Sequence, residues 1–434
     1  MSPFATIGEL HDAYRTGAAT PAAIVEAHLA RIERLKSELA AFTEVDRAGA
    51  LAAAAKARRD APRPLEGVPV AVKSNIAVQG LEWNAGMAAR RGMIADADAE
   101  AVRRLRDAGA ILLGTLNMQE AALGATTDNP WFGRGFNPHG QGRTPGGSSG
   151  GSGSAVAAGL CVASLGTDTL GSIRIPAAYN GVYGLKPTNG AVSNQGLAPL
   201  SAWLDCIGPL ARSLDDLELV FSVLHPFASS KVEKPAPATR LLTLADLAGV
   251  ECEPAVLAGY QRALAVLDDL PRGEFRLSEP PRFLRVAGFV DSAREFIRHL
   301  GPDWRGLELG VELRGHLEFA EARDDARLAR DRSTLERARA ELRVAIGPGA
   351  VLLMPTAPQA AFAQGGEIPV SQADFCALAN VAGLPALSLP AGLDPDGMPV
   401  AVQLVGAPGS EPLLLTVARR VDAALRAYAP PPID

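Results

Sequence analysis

The sequence predicts an α/β fold. Short apolar runs suited to buried strands alternate with segments of helical period in a strand–helix–strand order. Hydrophobic residues make up 47% of the 434 positions, ample for a large core. Length by itself suggests about three domains at roughly 150 residues each, a soft prior that large α/β enzymes often break by running on as one unit.

Thr20-Pro21 opens the first clear helix. Thr is a good N-cap, Pro suits the first helical position, and Ile24, Leu29, Ile32 and Leu35 follow at helical spacing. Residues Arg47 to Arg59 are Ala-rich and read as helical. Val68-Pro69-Val70-Ala71-Val72 is a short buried strand with Lys73 at its end. Asp98 is placed to cap a helix carrying Val102 and Leu105, which Gly109 would stop, and residues 110 to 113 form the next strand. From Asp128 to Gly151 the chain is too rich in Gly, Pro and Asn for strand or helix. Residues 152 to 159 then read as a buried helix and 162 to 165 as a strand leading into GTDTLGSIRIP. The best linker candidate is KVEKPAP, 231 to 237. Beyond it, 314 to 346 is helical in period, 351–354, 386–390 and 400–405 are strands, 412–427 is a closing helix, and 429–434 is a loose tail. No internal repeat is found.

Composition narrows the function. The net charge of −6 is mild and no Lys/Arg block stands out, so a nucleic-acid footprint is not expected. The N-terminus lacks an apolar h-region and no run approaches the ~18 apolar residues of a span, so neither a signal peptide nor a membrane segment is expected. Cys161, Cys206, Cys252 and Cys376 lie far apart without CxxC spacing and read as reduced thiols, which suits a cytoplasmic protein. Only six of the 42 basic residues are lysines (Lys36, Lys56, Lys73, Lys186, Lys231, Lys234). A chain that uses Arg wherever it needs a positive charge draws attention to a Lys ending an apolar run. Lys can lose its proton when desolvated, whereas Arg effectively cannot.

Three segments carry chemistry: Lys73 in GVPVAVKSN, the run PGGSSGGSGS at 145–154, and GTDTLGSIR at 166–174. The Gly/Ser run is a poor flexible linker, because structured apolar segments enclose it. It is a poor phosphate loop, because no Gly-Lys-Ser/Thr follows. Gly146-Gly147-Ser148-Ser149-Gly150 matches the GxSxG elbow, but no strand precedes it, and His225, His299 and His316 follow without an obvious motif. Taken alone, Lys73 is either a strand-end lysine snorkelling to solvent or a base held neutral by burial. Ser172, in a Gly-Ser turn after a strand, is either a turn serine or a hydroxyl facing a cavity where neighbouring N–H groups converge as in an oxyanion hole.

Together these segments resemble the amidase-signature family. The run GGSSGGSGSAVAAGLCVASLGTDTLGSIRIPAAYNGVYGLKPT, 146–188, is similar to its defining stretch nearly end to end, and GVPVAVKSN to its lysine segment. GAILLGTLNMQE, NVAGLPALSLPAG and MPVAVQLVG are similar too, and the likeness thins between about Phe227 and Gly347. The resemblance implies one large domain over 1–434 with a mixed central sheet of many strands flanked by helices. Within it, 1–60 is an N-terminal helical segment and 227–347 a variable, substrate-shaping region. It implies Ser172 as nucleophile, Ser148 as bridging serine after a cis bond from Gly147, and Lys73 as base. It also implies the N–H groups of Thr169, Leu170, Gly171 and Ser172 as oxyanion donors, with Ser149, Asp168 and Arg174 orienting the catalytic groups. No metal or organic cofactor is implied.

Two positions depart from the family pattern. Ser74 stands where Asp usually follows the lysine, which favours a neutral Lys73 or reorganises its hydrogen bonds. Leu170 stands where Gly is common; it keeps the backbone donor, disfavours positive φ and adds a side chain near the acyl pocket. The leading expectation is a hydrolase acting on a small carboxamide. Its competitors are a urea-derivative hydrolase of the allophanate or carboxybiuret type, the amidotransferase subunit that passes ammonia to an aminoacyl-tRNA, and an inactive binding subunit. The expected partner is a small amide, with no nucleic acid and no membrane, and a homodimer is the default assembly. Arg298, Arg314 and His316 are either contacts for an anionic substrate or ordinary helix-surface residues, the latter being the more common case.

Overall fold

The computed structural model describes residues 2–58, 63–225 and 237–433. In chain order the strands are β1 (Phe42–Val45), β2 (Pro69–Lys73), β3 (Ile111–Leu116), β4 (Asp128–Asn129), β5 (Gly133–Arg134), β6 (Ala163–Asp168), β7 (Tyr183–Lys186), β8 (Cys206–Ala211), β9 (Arg240–Leu244), β10 (Arg272–Phe275), β11 (Ala350–Pro355), β12 (Ala386–Leu393) and β13 (Pro399–Gly406). Eleven form one mixed sheet in the order β1-β3-β2-β6-β8-β7-β12-β13-β11-β9-β10, and β4 and β5 make a separate ribbon. The β2–β3, β2–β6, β9–β10 and β9–β11 pairs are parallel; the other neighbours are antiparallel.

Helices cover both faces, so the central strands β2, β6, β7 and β8 are buried at every position rather than at alternate ones. In β2, Val70 and Val72 enter one core while Ala71 enters the opposite one, packed with the helices Pro21–Leu39 and Gly150–Ala157. Lys73 shares the parity of Ala71 and therefore points to the side that carries the Gly/Ser helix. The Pro21–Leu39 helix is capped as expected, Thr20 accepting from the Ala23 N–H at 3.1 Å. The Gly/Ser helix is wholly buried. A Cβ at Gly151 would lie 2.4 Å from the Asn117 carbonyl oxygen and 2.6 Å from that of Ala41. The glycines therefore permit backbone-to-backbone contact and do not supply flexibility.

Some local expectations are corrected. Asp98 does not cap its helix: the cap is Ala99, and Asp98 instead accepts from the Gln79 N–H and pairs with Arg106. The stretch 314–346 is two helices, Val311–Glu321 and Asp325–Ala345, because Asp324 starts a new one by accepting from the Arg327 N–H at 2.7 Å. The tail is not loose: Pro431 is buried and the Ile433 carbonyl accepts from Arg31. The N-terminal segment contains β1 beside its helices. All of the linker candidate except Pro237 lies outside the described residues. Each cysteine is free; Cys161, Cys206 and Cys376 are buried and Cys252 is partly so. Among the described residues no helix is long and apolar enough to cross a membrane.

Candidate active site

The site forms where β2, β6 and the Gly/Ser helix meet. Lys73 is fully buried at the end of β2, so it does not snorkel to solvent. Its Nζ lies 2.7 Å from Ser148 Oγ and 2.7 Å from Thr167 Oγ1. Burial lowers its pKa to about 7, against the opposing pull of the Asp205 and Asp168 charges. A lysine in that range can hold a lone pair at neutral pH.

Ser148 is buried and its peptide bond from Gly147 is cis. Its carbonyl accepts from the Gln119 N–H at 3.0 Å, and the next residue donates its N–H to the Ser172 carbonyl at 3.3 Å. That bond joins the Ser148–Ser149 turn to the Ser172 loop. Ser149 Oγ donates to the Thr167 carbonyl and accepts from the Thr167 N–H. Ser172 is the only one of the three predicted catalytic side chains with measurable exposure, 8% against 0% for Lys73 and Ser148. It faces a cavity of about 330 Å³ whose walls include Leu170, Ile175, Leu200, Phe289, Arg285, Glu312 and His316.

A buried ion pair sets the shape of the Thr169–Ile173 loop. Asp168 and Arg174 face each other with two contacts of 3.0 Å. Arg174 also donates to Gln403 and Asn380, and Asn380 donates to Asp168. Burial opposes charge on Asp168, but Arg174 overrides it and holds the carboxyl down at about 2. The same carboxylate takes the Gly171 N–H at 2.7 Å and the Ile173 N–H at 3.2 Å. Gly171, expected as an oxyanion donor, therefore spends its N–H on Asp168. Among the described residues the N–H groups of Thr169, Leu170 and Ser172 show no such partner. The loop turns at Gly171, whose φ of 130° suits glycine and where a Cβ would come within 2.7 Å of Cys376.

The two departures now have places. Leu170 avoids the left-handed region and lays its side chain on Gly288, where a Cβ would sit 3.0 Å away. Ser74 Oγ is buried without a partner among the described residues. The carboxylates acting on Lys73 come from Asp205 and Asp168 rather than from the neighbouring position. Asp205 is anchored by the Thr169 hydroxyl at 2.6 Å and by the Leu200 and Ser201 N–H groups. Of the three basic candidates in the variable region, His316 lines the cavity, Arg314 donates to the Arg305 and Leu307 carbonyls, and Arg298 does not reach it.

Thr167, Asp205, Asn380 and Gln403 are absent from the sequence-based expectation. Asn380 and Gln403 carry a signal, as polar residues inside apolar runs, ALANVAGLP and VAVQLVG. Among the described residues no cluster of three or more His, Cys, Asp or Glu side chains is arranged to hold a metal ion.

The chain matches the Amidase family model over residues 23–415. It is 36% identical to a glutamyl-tRNA(Gln) amidotransferase subunit of Anaeromyxobacter dehalogenans over 94% of each chain. It is 34% identical to the corresponding protein of Synechococcus sp. (strain CC9311) over 96% of each. Among solved structures, 6-aminohexanoate cyclic dimer hydrolase superposes with a TM-score of 0.85 at 27% identity, covering 100% of this chain and 99% of that one. The peptide amidase of Stenotrophomonas maltophilia does so at 0.79 and 30% identity, over 99% and 98%. A fold shared along nearly the whole chain, with the Gly/Ser run, the buried lysine and the Gly-Ser loop brought to one place, shows that this protein belongs to the amidase-signature family of enzymes.

Proposed function

We propose that the chain hydrolyses a small carboxamide through an acyl-enzyme on Ser172. The observation that carries this reading is the fully buried Lys73, 2.7 Å from Ser148 and with its pKa lowered to about 7. A buried lysine next to a buried hydroxyl, one loop away from a serine that opens on a cavity, is a proton relay in waiting.

Neutral Lys73 takes a proton from Ser148 as Ser148 takes one from Ser172. Ser172 Oγ attacks the amide carbonyl carbon, and the carbonyl π electrons move to oxygen. The oxyanion is met by the N–H groups of Thr169, Leu170 and Ser172. Those donors are held by a loop that the Asp168–Arg174 pair keeps rigid, so little reorganisation accompanies the reaction. The C–N bond then breaks as Ser148 returns the proton to the leaving nitrogen. Water, deprotonated by the same relay, cleaves the ester and frees the acid and Ser172.

Intact-mass analysis after fluorophosphonate treatment, with peptide mapping, tests the assignment without a known substrate. A single adduct on Ser172, absent from Ser172→Ala, is the expected result; failure to label even with a small sulfonyl fluoride would overturn it. A second reading is favoured by the names of the sequence relatives, which are amidotransferase subunits. It predicts that the chain releases ammonia from glutamine only together with partner subunits. Turnover of simple amides by the isolated chain would separate the two.

A further inference from the structure

The Thr169–Ile173 loop is held at its two ends by two different carboxylates. Asp168 fixes the far end through the Gly171 and Ile173 N–H groups. The near end is Thr169. Among the described residues its only hydrogen bond is the one its hydroxyl gives to Asp205 Oδ1, at 2.6 Å. No other bond of its own aims its N–H, which is a donor in the proposed reaction.

Asp205 is 5% exposed, in the turn that leads into β8. Its Oδ2 accepts from the Leu200 and Ser201 N–H groups at 2.8 and 2.9 Å, which closes that turn. The plainer account is that Thr169 only satisfies a buried acid. Closing the turn needs Oδ2 alone, however, whereas Oδ1 reaches a residue 36 positions away in sequence. The sheet makes that reach short. Asp168 pairs with Cys206, so Thr169 and Asp205 face each other one step beyond the β6–β8 ladder.

The turn is itself held from outside. Glu295, on the helix Pro281–Leu300, accepts from the Ala202 N–H at 2.8 Å and from the Ser201 hydroxyl at 3.1 Å. Asp291 of the same helix accepts from the Trp203 indole at 2.8 Å. One helix thus bonds to three successive residues of the turn. A single contact of this kind would be ordinary surface bonding; three in a row fix where the turn lies. The same helix lends Phe289 and Ser292 to the cavity wall, and Leu200 of the turn lines the cavity as well.

We infer that Asp205 and Glu295 are positioning residues: Asp205 holds Thr169 so that its N–H faces the scissile oxygen, and Glu295 holds the turn that carries Asp205. Both act through Thr169. The inference rests on the hydrolase reading above and adds to it a link between the oxyanion donors and the helix that walls the cavity. It gives Asp205 two separable effects, a charge felt by Lys73 and a hydrogen bond that orients Thr169.

The test follows the rate constant for fluorophosphonate labelling of Ser172 against pH in the full chain, with thermal unfolding measured for each variant. The phosphoryl oxygen takes the place of the oxyanion, so the plateau reads the donors and the acid limb reads Lys73. Thr169→Val removes the hydroxyl at nearly constant shape. It should lower the plateau by about tenfold or more and leave the limb at about pH 7. Thr169→Ser restores the hydroxyl and should recover most of that loss. Asp205→Asn keeps one acceptor for the Leu200 and Ser201 N–H groups and turns an N–H towards Thr169. It should lower the plateau as much and also move the limb down. In the Thr169→Val background it should move the limb alone, because the bond it breaks is already gone. Glu295→Ala should lower the plateau several-fold with the limb in place, and Glu295→Gln, which keeps one acceptor, by less. A Thr169→Val protein that labels at the wild-type rate, whatever its stability, would overturn the role of Asp205, as would additive plateau losses in the double variant. Glu295→Ala labelling at the wild-type rate would overturn the role of Glu295. Should Asp205→Asn fail to fold, the two Thr169 variants decide alone. Absence of labelling in the wild type would instead overturn the hydrolase reading beneath the inference.

Discussion

The stretch from Pro69 to Ala211 and the stretch from Arg240 to Ala345 contribute to the same cavity by opposite means. The first presents Ser172 among mostly small and apolar lining residues, behind which lie buried polar groups with partners on neighbouring elements: Lys73 with Ser148 and Thr167, Asp168 with Arg174. Every one of those paired side chains is 2% exposed or less. The second contributes helix faces, such as Phe289, Glu312 and His316, and its ion pairs are less buried, from Arg285–Asp374 at the cavity wall to Arg305–Glu321 at the surface. It also leaves Val311, Phe319 and Val344 exposed. Under the proposed hydrolase reading, chemistry is assigned to the buried frame and selectivity to the helices outside it.

Breaking the polar frame should therefore cost far more than altering the helical wall. Ser172→Ala should lower amide turnover by about 10³-fold or more and abolish the fluorophosphonate adduct. Arg174→Met leaves Asp168 buried without its cation and should destabilise the fold by about 3–5 kcal/mol, read by denaturant unfolding. Arg305→Ala removes a surface pair and should cost less than about 1 kcal/mol in the same measurement. An equal cost for the two would erase the contrast.

Asp205→Asn sharpens it within the frame. The Asp205 charge raises the Lys73 pKa, so removing it lets the lysine lose its proton at lower pH. The acid limb of the kcat/KM profile should move below pH 7, by about half to one unit. A limb displaced to higher pH would contradict the charge assignment. Gly288→Ala is the mildest change: a Cβ 3.0 Å from Leu170 pushes that side chain along the cavity. It should alter preference among amides of different chain length by about two- to fivefold while leaving the pH profile in place.

Much of the frame is legible in the sequence because it is written in short runs. PVAVK is a buried strand by composition alone, and GGSSGGSGS encodes close packing of a helix on backbone. Two central strands are harder to see. β7 and β8 pair with each other and with more distant strands, so nothing local marks either end. Asp205 lies 37 residues beyond Asp168 and reaches Lys73 only because β8 folds back beside β6. The cavity wall is the least legible part. Whether a helix residue such as His316 faces solvent or Ser172 depends on how Val311–Glu321 packs on Pro281–Leu300, which no single segment records.

The relay is the centre of the account, and the pH dependence of Ser172 phosphonylation measures it directly without a substrate. In the wild type the rate constant should rise about tenfold per pH unit up to about pH 7 and level off above it, as buried Lys73 loses its proton. In Lys73→Ala the reaction should be slower by at least about a hundredfold and should lack that limb. A wild-type rate that does not change between pH 5 and 9, or a Lys73→Ala enzyme that keeps the same limb, would contradict the assignment of Lys73 as the base.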